Sequence, residues 1–330
     1  MKTFPTIASI LSQTELGKFI TDKYQLKAHF DCKLFRTGVN HTYFMSNQNT
    51  KYVVRVYCHN WRTKFEIQEE LELLNLLKQH NLSISIPIPD ENGNLIQEIN
   101  APEGLRYIVL FTFAKGEKIR FMTNETCFAI GSMMAKIHNI TATKKINRVN
   151  YNSDVLMNKA YDYLNDFFPD NLSEMIYLKQ ISSKISRSFE ESNLSANQKG
   201  IVHLDIWYDN LSVNKENDIT IFDFDNCGNG SLILDVGYFC KQLFFIETDK
   251  NIYEIKVDSF LNGYKSEREL SEKELKLIPE AGASIFIFYL GVQAQRFDWS
   301  NIFLTENYLK MFVGRIKNWL DYYEEKNNCY

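Results

Sequence analysis

The sequence predicts an α+β protein of two lobes: a small β-rich N-terminal lobe over residues 1–113 and a large, mainly helical lobe over residues 114–330. Three observations predict it. At 330 residues the chain exceeds what one small core fills. Between residues 25 and 113, short β-branched and aromatic runs alternate with turn residues and enclose one segment of helical period. After Lys115-Gly116 almost every segment reads as helix.

In chain order, residues 14–24 form a short helix. Lys33–Phe35, Thr42–Ser46 and Tyr52–Tyr57 are strands, separated by the turns GVN and SNQNT. Phe65–Gln79 is a helix whose apolar face carries Leu73, Leu74 and Leu77. Ile84–Pro89 and Asn94–Glu98 flank the turn DENG, and the continuous apolar run Tyr107–Phe113 is a buried strand. The hinge to the second lobe falls near Phe111–Gly116, and a cleft between lobes is a natural ligand site. Helices are then expected at Asn124–Asn139, Ser153–Phe168, Leu172–Asn193, Leu232–Glu247, Asn251–Tyr264, Glu272–Arg296 and Glu306–Glu325. Two strands interrupt them, Leu211–Val213 and Ile219–Phe224.

Composition narrows the function. Hydrophobic residues at 45% and charged residues at 24% match a soluble globular chain. A net charge of −4 argues against a nucleic-acid partner. No apolar stretch is long enough for a membrane span, and no signal-peptide core is visible at the N-terminus. The six cysteines are scattered without a C-x-x-C pair, which fits free thiols in a cytoplasmic protein.

The chemistry lies in residues 201–225, IVHLDIWYDNLSVNKENDITIFDFD. His203-x-Asp205 is followed by Asn210, and then by Asp223 at the end of an apolar strand. This is the spacing of a kinase catalytic loop, H-x-D-x-x-x-x-N, with a strand-end Asp beyond it. Phosphoryl transfer needs a carboxylate to orient and deprotonate the acceptor hydroxyl, which assigns the base to Asp205. It also needs hard oxygen ligands for Mg2+, here the Asn210 amide and the Asp223 carboxylate. Asp225 stands as a second metal ligand or a turn cap.

These residues carry a resemblance. IVHLDIWYDNLSV and ITIFDFDNCGNGSLILDVGYF are similar to the phosphotransferase family of aminoglycoside kinases, choline kinases and type II homoserine kinases. That family reads close to HGD-x-x-x-x-N, then a hydrophobic strand, DFD or DWE, a glycine turn and a downstream Asp. His203, Asp205, Asn210, Asp223 and Asp235 match, while Leu204 replaces the usual Gly and crowds the loop. FRTGVNHTYF resembles the family's phosphate-covering hairpin, with Gly38 and Asn40 matching. Arg55 in YVVRVY stands where the family holds the α- and β-phosphates with Lys or Arg. Glu70, on the face of Leu73, Leu74 and Leu77, is the preferred partner of Arg55, with Glu66 and Glu69 as alternatives. Ile108–Phe113 resembles the hinge strand that reads adenine, which adds Leu110, Phe111 and Phe113 to the nucleotide site. GSMMAKIH resembles a family helix in which His138 is a packing residue. The resemblance implies a bilobal protein-kinase-like fold, with ATP and Mg2+ as cofactors.

The acceptor is open. A small molecule is the leading expectation: an amino alcohol, a homoserine-like compound, a sugar or an aminoglycoside. Residues 263–291 also resemble the bacterial stress-response kinases, which keeps a Ser/Thr protein kinase in play, and a nucleotide-binding pseudokinase is the third option. Trp207 and Tyr208 in the catalytic loop, with Gln293, Arg296, Phe286, Phe288, Tyr289 and Trp299 opposite, are the expected acceptor wall. Aromatic faces there suit a cationic amine, each contact adding ~0.5–2 kcal/mol.

Overall fold

The computed structural model describes residues 4–296 and 304–328. The chain divides into two compact units, with the boundary between Ala114 and Lys115. Trp299 lies outside the described residues.

The first unit opens with α1 (Gln13–Lys23), capped by the Ser12 hydroxyl, and continues into β1 (Asp31–Arg36), β2 (Asn40–Ser46) and β3 (Lys51–Tyr57). Helix α2 (Lys64–Gln79) follows, then β4 (Gln97–Ala101) and β5 (Gly104–Thr112). The five strands form one antiparallel sheet in the order β1-β2-β3-β5-β4. One sheet face is apolar: Tyr43, Met45, Val54, Val56, Ile108 and Leu110 pack with Leu16 and Ile20 of α1. A capping box between Thr63 and Glu66 fixes the start of α2. Ile67, Leu71, Leu74 and Leu77 bury its stripe, each adding roughly 1.5–3 kcal/mol of burial free energy.

Ile84–Pro89, ahead of the turn DENG, forms no strand. Pro87 and Pro89 have no N–H to give a ladder. The segment instead laces onto β5 at intervals: Ile88 N–H donates to Leu110 O at 2.8 Å and Thr112 N–H to Ile86 O at 2.9 Å. After the turn, β4 begins at Gln97, because Asn94 closes the Asp90 turn.

The second unit is mainly helical. It contains α3 (Asn124–Thr141), β6 (Asn150–Tyr151), α4 (Lys159–Asn165), α5 (Ser173–Ser192) and β7 (Lys199–Val202). The hairpin β8 (Leu211–Val213) and β9 (Ile219–Ile221) leads to β10 (Gly228–Ser231). Helices α6 (Ile233–Ile246), α7 (Lys250–Lys265), α8 (Glu272–Lys276), α9 (Ile278–Gln295) and α10 (Glu306–Asn328) complete it. A small sheet, β6-β10-β7, was not expected, since GNGS and KGIV carry little strand signal. The helix expected over Glu272–Arg296 is split at Leu277, and Pro279 opens α9 where its missing N–H costs nothing. Helices α3 and α7 touch backbone to backbone: a Cβ on Gly131 would overlap the Phe260 carbonyl, and one on Gly263 the Phe128 carbonyl. No helix among the described residues is long and apolar enough to cross a membrane.

Candidate active site

In the second unit, β7 ends at Val202 and the loop His203–Asn210 follows. Its anchor is Asp235 in the first turn of α6, 1% exposed. The Asp235 carboxylate accepts His203 N–H at 2.8 Å, Leu204 N–H at 2.6 Å and a hydrogen bond from His138 Nε2 at 3.0 Å. Burial alone would push this carboxyl up. The His138 hydrogen bond and charge, with the field and amide of His203, hold it below the usual carboxylate range. His138 in turn bonds the Tyr264 hydroxyl at 2.7 Å and is fully buried, the packing role expected of it.

Leu204 explains the usual glycine. Its φ is +67°, in the left-handed region that a side chain disfavours, and it is 0% exposed. The conformation lets two successive amides reach one carboxylate. The hydroxyl of Tyr289 donates to the Leu204 carbonyl at 3.3 Å.

Asp205 emerges from this loop with its carboxylate fixed on both oxygens. Tyr238 Oη–H donates to Oδ1 at 2.6 Å and Asn210 Nδ2 donates to Oδ2 at 2.6 Å. Burial pushes its carboxyl up to about 7; the Tyr238 hydroxyl opposes that, and the negative charge of Asp223 adds to it. A proton acceptor with a pKa near 7 is suited to general-base work.

His203 was expected beside Asp205 as a catalytic group. Its ring instead serves the loop. Nδ1 accepts the Asp205 N–H at 3.2 Å, Nε2 donates to Phe222 O at 3.2 Å, and the ring lies 4.3 Å from that of Phe224. Both nitrogens are spent on backbone, and burial holds the imidazole below its ordinary pKa, so it stays neutral. His203 is therefore a positioning residue.

Asn210 closes a short 3-10 turn. Its Nδ2 is engaged by Asp205, which leaves its amide oxygen as the atom to offer a cation. Asp223, two residues past the end of β9, sits at φ +66° and ψ +63°, a left-handed kink ahead of a 3-10 turn. Asp225 is buried, and its carbonyl accepts from Arg148 Nη2 at 2.5 Å. No cluster of three His, Cys, Asp or Glu side chains is present among the described residues. One amide oxygen and one carboxylate are hard oxygen donors of the kind that suits Mg2+.

In the first unit, Arg55 on β3 is 8% exposed. Its Nη1 donates to Glu70 Oε1 of α2 at 2.7 Å and to the Tyr57 hydroxyl at 3.3 Å. Tyr57 Oη–H donates to Glu70 Oε2 at 3.1 Å. Glu66 is occupied in the helix cap. The Arg55 guanidinium also lies 4.9 Å from the ring centre of Phe111. Asn40 Oδ1 accepts the Cys58 N–H at 3.4 Å, and the Gly38 carbonyl faces Cys58 Sγ at 3.9 Å, so both hold the β1–β2 turn to the end of β3. Leu110 points into the core and its carbonyl is taken by Ile88. The strand backbone is thus occupied as far as Thr112, and Phe113 is the first expected nucleotide residue beyond the ladder. Phe113 forms an edge contact with Phe44, and Lys51 Nζ sits 3.7 Å and 4.2 Å from those two ring centres.

Among the expected acceptor residues, Trp207 and Tyr208 pack edge to face at 4.7 Å. Phe286 is core, against Phe245 and Phe312, whereas Phe288 contacts Tyr151 and Tyr289. Gln293 Oε1 is buried without a hydrogen-bond partner, and Arg296 is buried at the C-cap of α9. Two residues escaped the sequence reading. Tyr238 and Lys241 lie one and two turns after Asp235 on α6, and their helical spacing from the motif Asp is the signal that could have found them.

Comparison with known proteins identifies the family. Residues 31–270 match the family model described as "Phosphotransferase enzyme family". An uncharacterized protein of Synechocystis is 28% identical over 295 residues, covering 88% of this chain and 81% of that one. A homoserine kinase of Bradyrhizobium diazoefficiens is 23% identical over 301 residues, covering 90% and 85%. Among solved structures, the amicoumacin kinase hAmiN in complex with AMP-PNP, Ca2+ and Ami superposes with a TM-score of 0.77 at 19% identity, covering 94% of each chain. With a family match across most of its length and a kinase-like fold, the chain belongs to the phosphotransferase enzyme family and is a kinase acting on an alcohol group.

Proposed function

We propose that the protein transfers the γ-phosphoryl group of ATP to a hydroxyl of a small molecule. The observation that carries this reading is the Asp205 carboxylate, held by Tyr238 and Asn210 and shifted up to about 7. Asp205 orients the acceptor hydroxyl and takes its proton as the oxygen bonds to phosphorus. Arg55, steadied by Glu70, places a cation on the α- and β-phosphates, and Gly38 and Asn40 shape the turn covering them. The backbone from Phe113 onward offers donors and acceptors to the adenine ring. Asn210 Oδ1 and the Asp223 carboxylate would hold Mg2+, which would supply positive charge against the charge developing on the transferred phosphoryl group. The small-molecule acceptor rests on relatives whose names specify homoserine and amicoumacin as substrates. The reaction draws on ATP in the cytoplasm.

A screen of amino alcohols, hydroxy acids, sugars and aminoglycosides for ADP release tests the proposal. Transfer to at least one, dependent on Mg2+ and lost in Asp205→Asn, is expected. Phosphorylation of protein Ser/Thr in place of every small molecule would overturn it.

A further inference from the structure

Lys241 is an uncommon residue to find where it is. It lies in the middle of α6, 3% exposed, in a helix whose residues are mostly apolar and aromatic. Its ammonium rests on two ring faces, 3.8 Å from the centre of Phe286 and 4.3 Å from that of Tyr238. No carboxylate forms an ion pair with it among the described residues. Burying an ammonium without an ion-pair partner is costly, and a fold that retains one normally has a use for it.

The neighbourhood says what that use is. Tyr238, one turn before Lys241, is the residue whose hydroxyl holds Asp205. Its ring meets that of Tyr289 at 5.9 Å, so the face of α6 bearing Tyr238 and Lys241 opposes the face of α9 bearing Phe286, Tyr289 and Gln293. Gln293 contributes a buried Oε1 that accepts no hydrogen bond. From α10, the Arg315 guanidinium lies 5.8 Å from the ring centre of Phe245, which packs on Phe286. Burial brings the Lys241 ammonium down to about 7; the charge of Asp205 opposes that and the charge of Arg315 adds to it. Beside the proton acceptor, then, lies a wall with a buried amine and aromatic flanks, within the field of the Arg315 guanidinium.

We infer that the acceptor carries, besides the hydroxyl that is phosphorylated, an anionic group that docks on the Lys241 ammonium between Tyr238 and Phe286. This rests on the phosphotransferase reading and names the acceptor class within it. An anion on Lys241 completes its coordination and leaves the hydroxyl end of a short molecule at Asp205. A cationic amine finds Lys241 on this wall as a like charge and must place its ammonium elsewhere. A carboxylate and a phosphate monoester share the required chemistry.

Thermal shift of the full chain with ADP and Mg2+ tests this with three sets of short ligands at millimolar concentration: hydroxy acids, their primary amides, and phosphate-bearing alcohols. The expected result is stabilisation by one anionic set, several-fold greater than by the matched amides, and its loss in Lys241→Met. Met keeps the length and apolar packing of the stem, and the acid-against-amide comparison needs no variant should Lys241→Met fail to fold. Equal shifts from acid and amide, no shift from any anion, or an unchanged acid response in a folded Lys241→Met would each overturn the inference. Equal loss of acid and amide responses in Lys241→Met would also overturn it, since that pattern marks a role for Lys241 in holding Asp205. Failure of the phosphotransferase reading looks different: wild-type protein would show no shift with ADP and Mg2+ alone.

Discussion

At Leu204, a side chain occupies a backbone conformation that suits glycine, and the loop depends on it. The left-handed φ turns two amides onto Asp235, at a strain of roughly 1–2 kcal/mol for a non-glycine residue. Complete burial of the leucine offsets the strain. Leu204→Ala loses the packing and keeps the strain, so it should destabilise by about 2–5 kcal/mol. Leu204→Gly loses one carbon more yet sheds the strain. It should be no less stable than Leu204→Ala in urea unfolding; a clearly lower stability for the glycine variant would show that the φ carries no cost. The replaced glycine was visible in the sequence, but its reason was not, because a φ angle is set by where Asp235 lies, 31 residues on. The roles of His203 and Tyr238 were hidden for the same cause. A histidine in H-x-D spacing looks the same whether its ring faces solvent or two backbone groups, and Tyr238, though inside the family-like stretch, is three residues past its matched Asp.

Among the elements, those with a strong local period were legible: α2 with its leucine stripe, and the β2–β3 and β8–β9 hairpins. What failed was decided by partners remote in sequence. The β6-β10-β7 sheet pairs GNGS with segments too short to carry a pattern, and Pro279 split a helix whose apolar content runs through it. The pairing of β3 with α2 carries a functional prediction. Arg55→Ala should weaken ATP by about tenfold or more and leave adenosine nearly unchanged, since a charge-assisted contact to phosphate contributes ~1.5–3 kcal/mol. Glu70→Gln keeps the shape of the α2 partner and should give a smaller loss of the same kind. Titration of both ligands checks this, and an equal loss for ATP and adenosine would move Arg55 away from the phosphates.

At the scale of the whole molecule, Lys241 sets a function-bearing cation against stability. With its pKa near 7, the folded protein sheds a proton between about pH 7 and 10.5 that the unfolded chain keeps, so stability from this group rises with pH across that window. Asp205 and Arg315 are the charges that face it, and both remain in the variant. Lys241→Met should therefore exceed the wild type in stability at pH 7 and below, and the gap should narrow toward pH 9. A gap that widens with pH would contradict the burial of an unpaired ammonium.

The central claim concerns Asp205, and Asp205→Asn tests it with little disturbance. The Tyr238 hydroxyl can turn from donor to acceptor and meet the new amide, while the amide oxygen still receives Asn210 Nδ2, so both contacts survive. What is lost is the proton acceptor. Calorimetric ATP binding and transfer to the acceptor found by the screen should be measured on the same preparation. The account predicts ATP affinity within a few-fold of wild type and transfer reduced on the order of 100- to 10,000-fold. Transfer at the wild-type rate in a folded Asp205→Asn would contradict it.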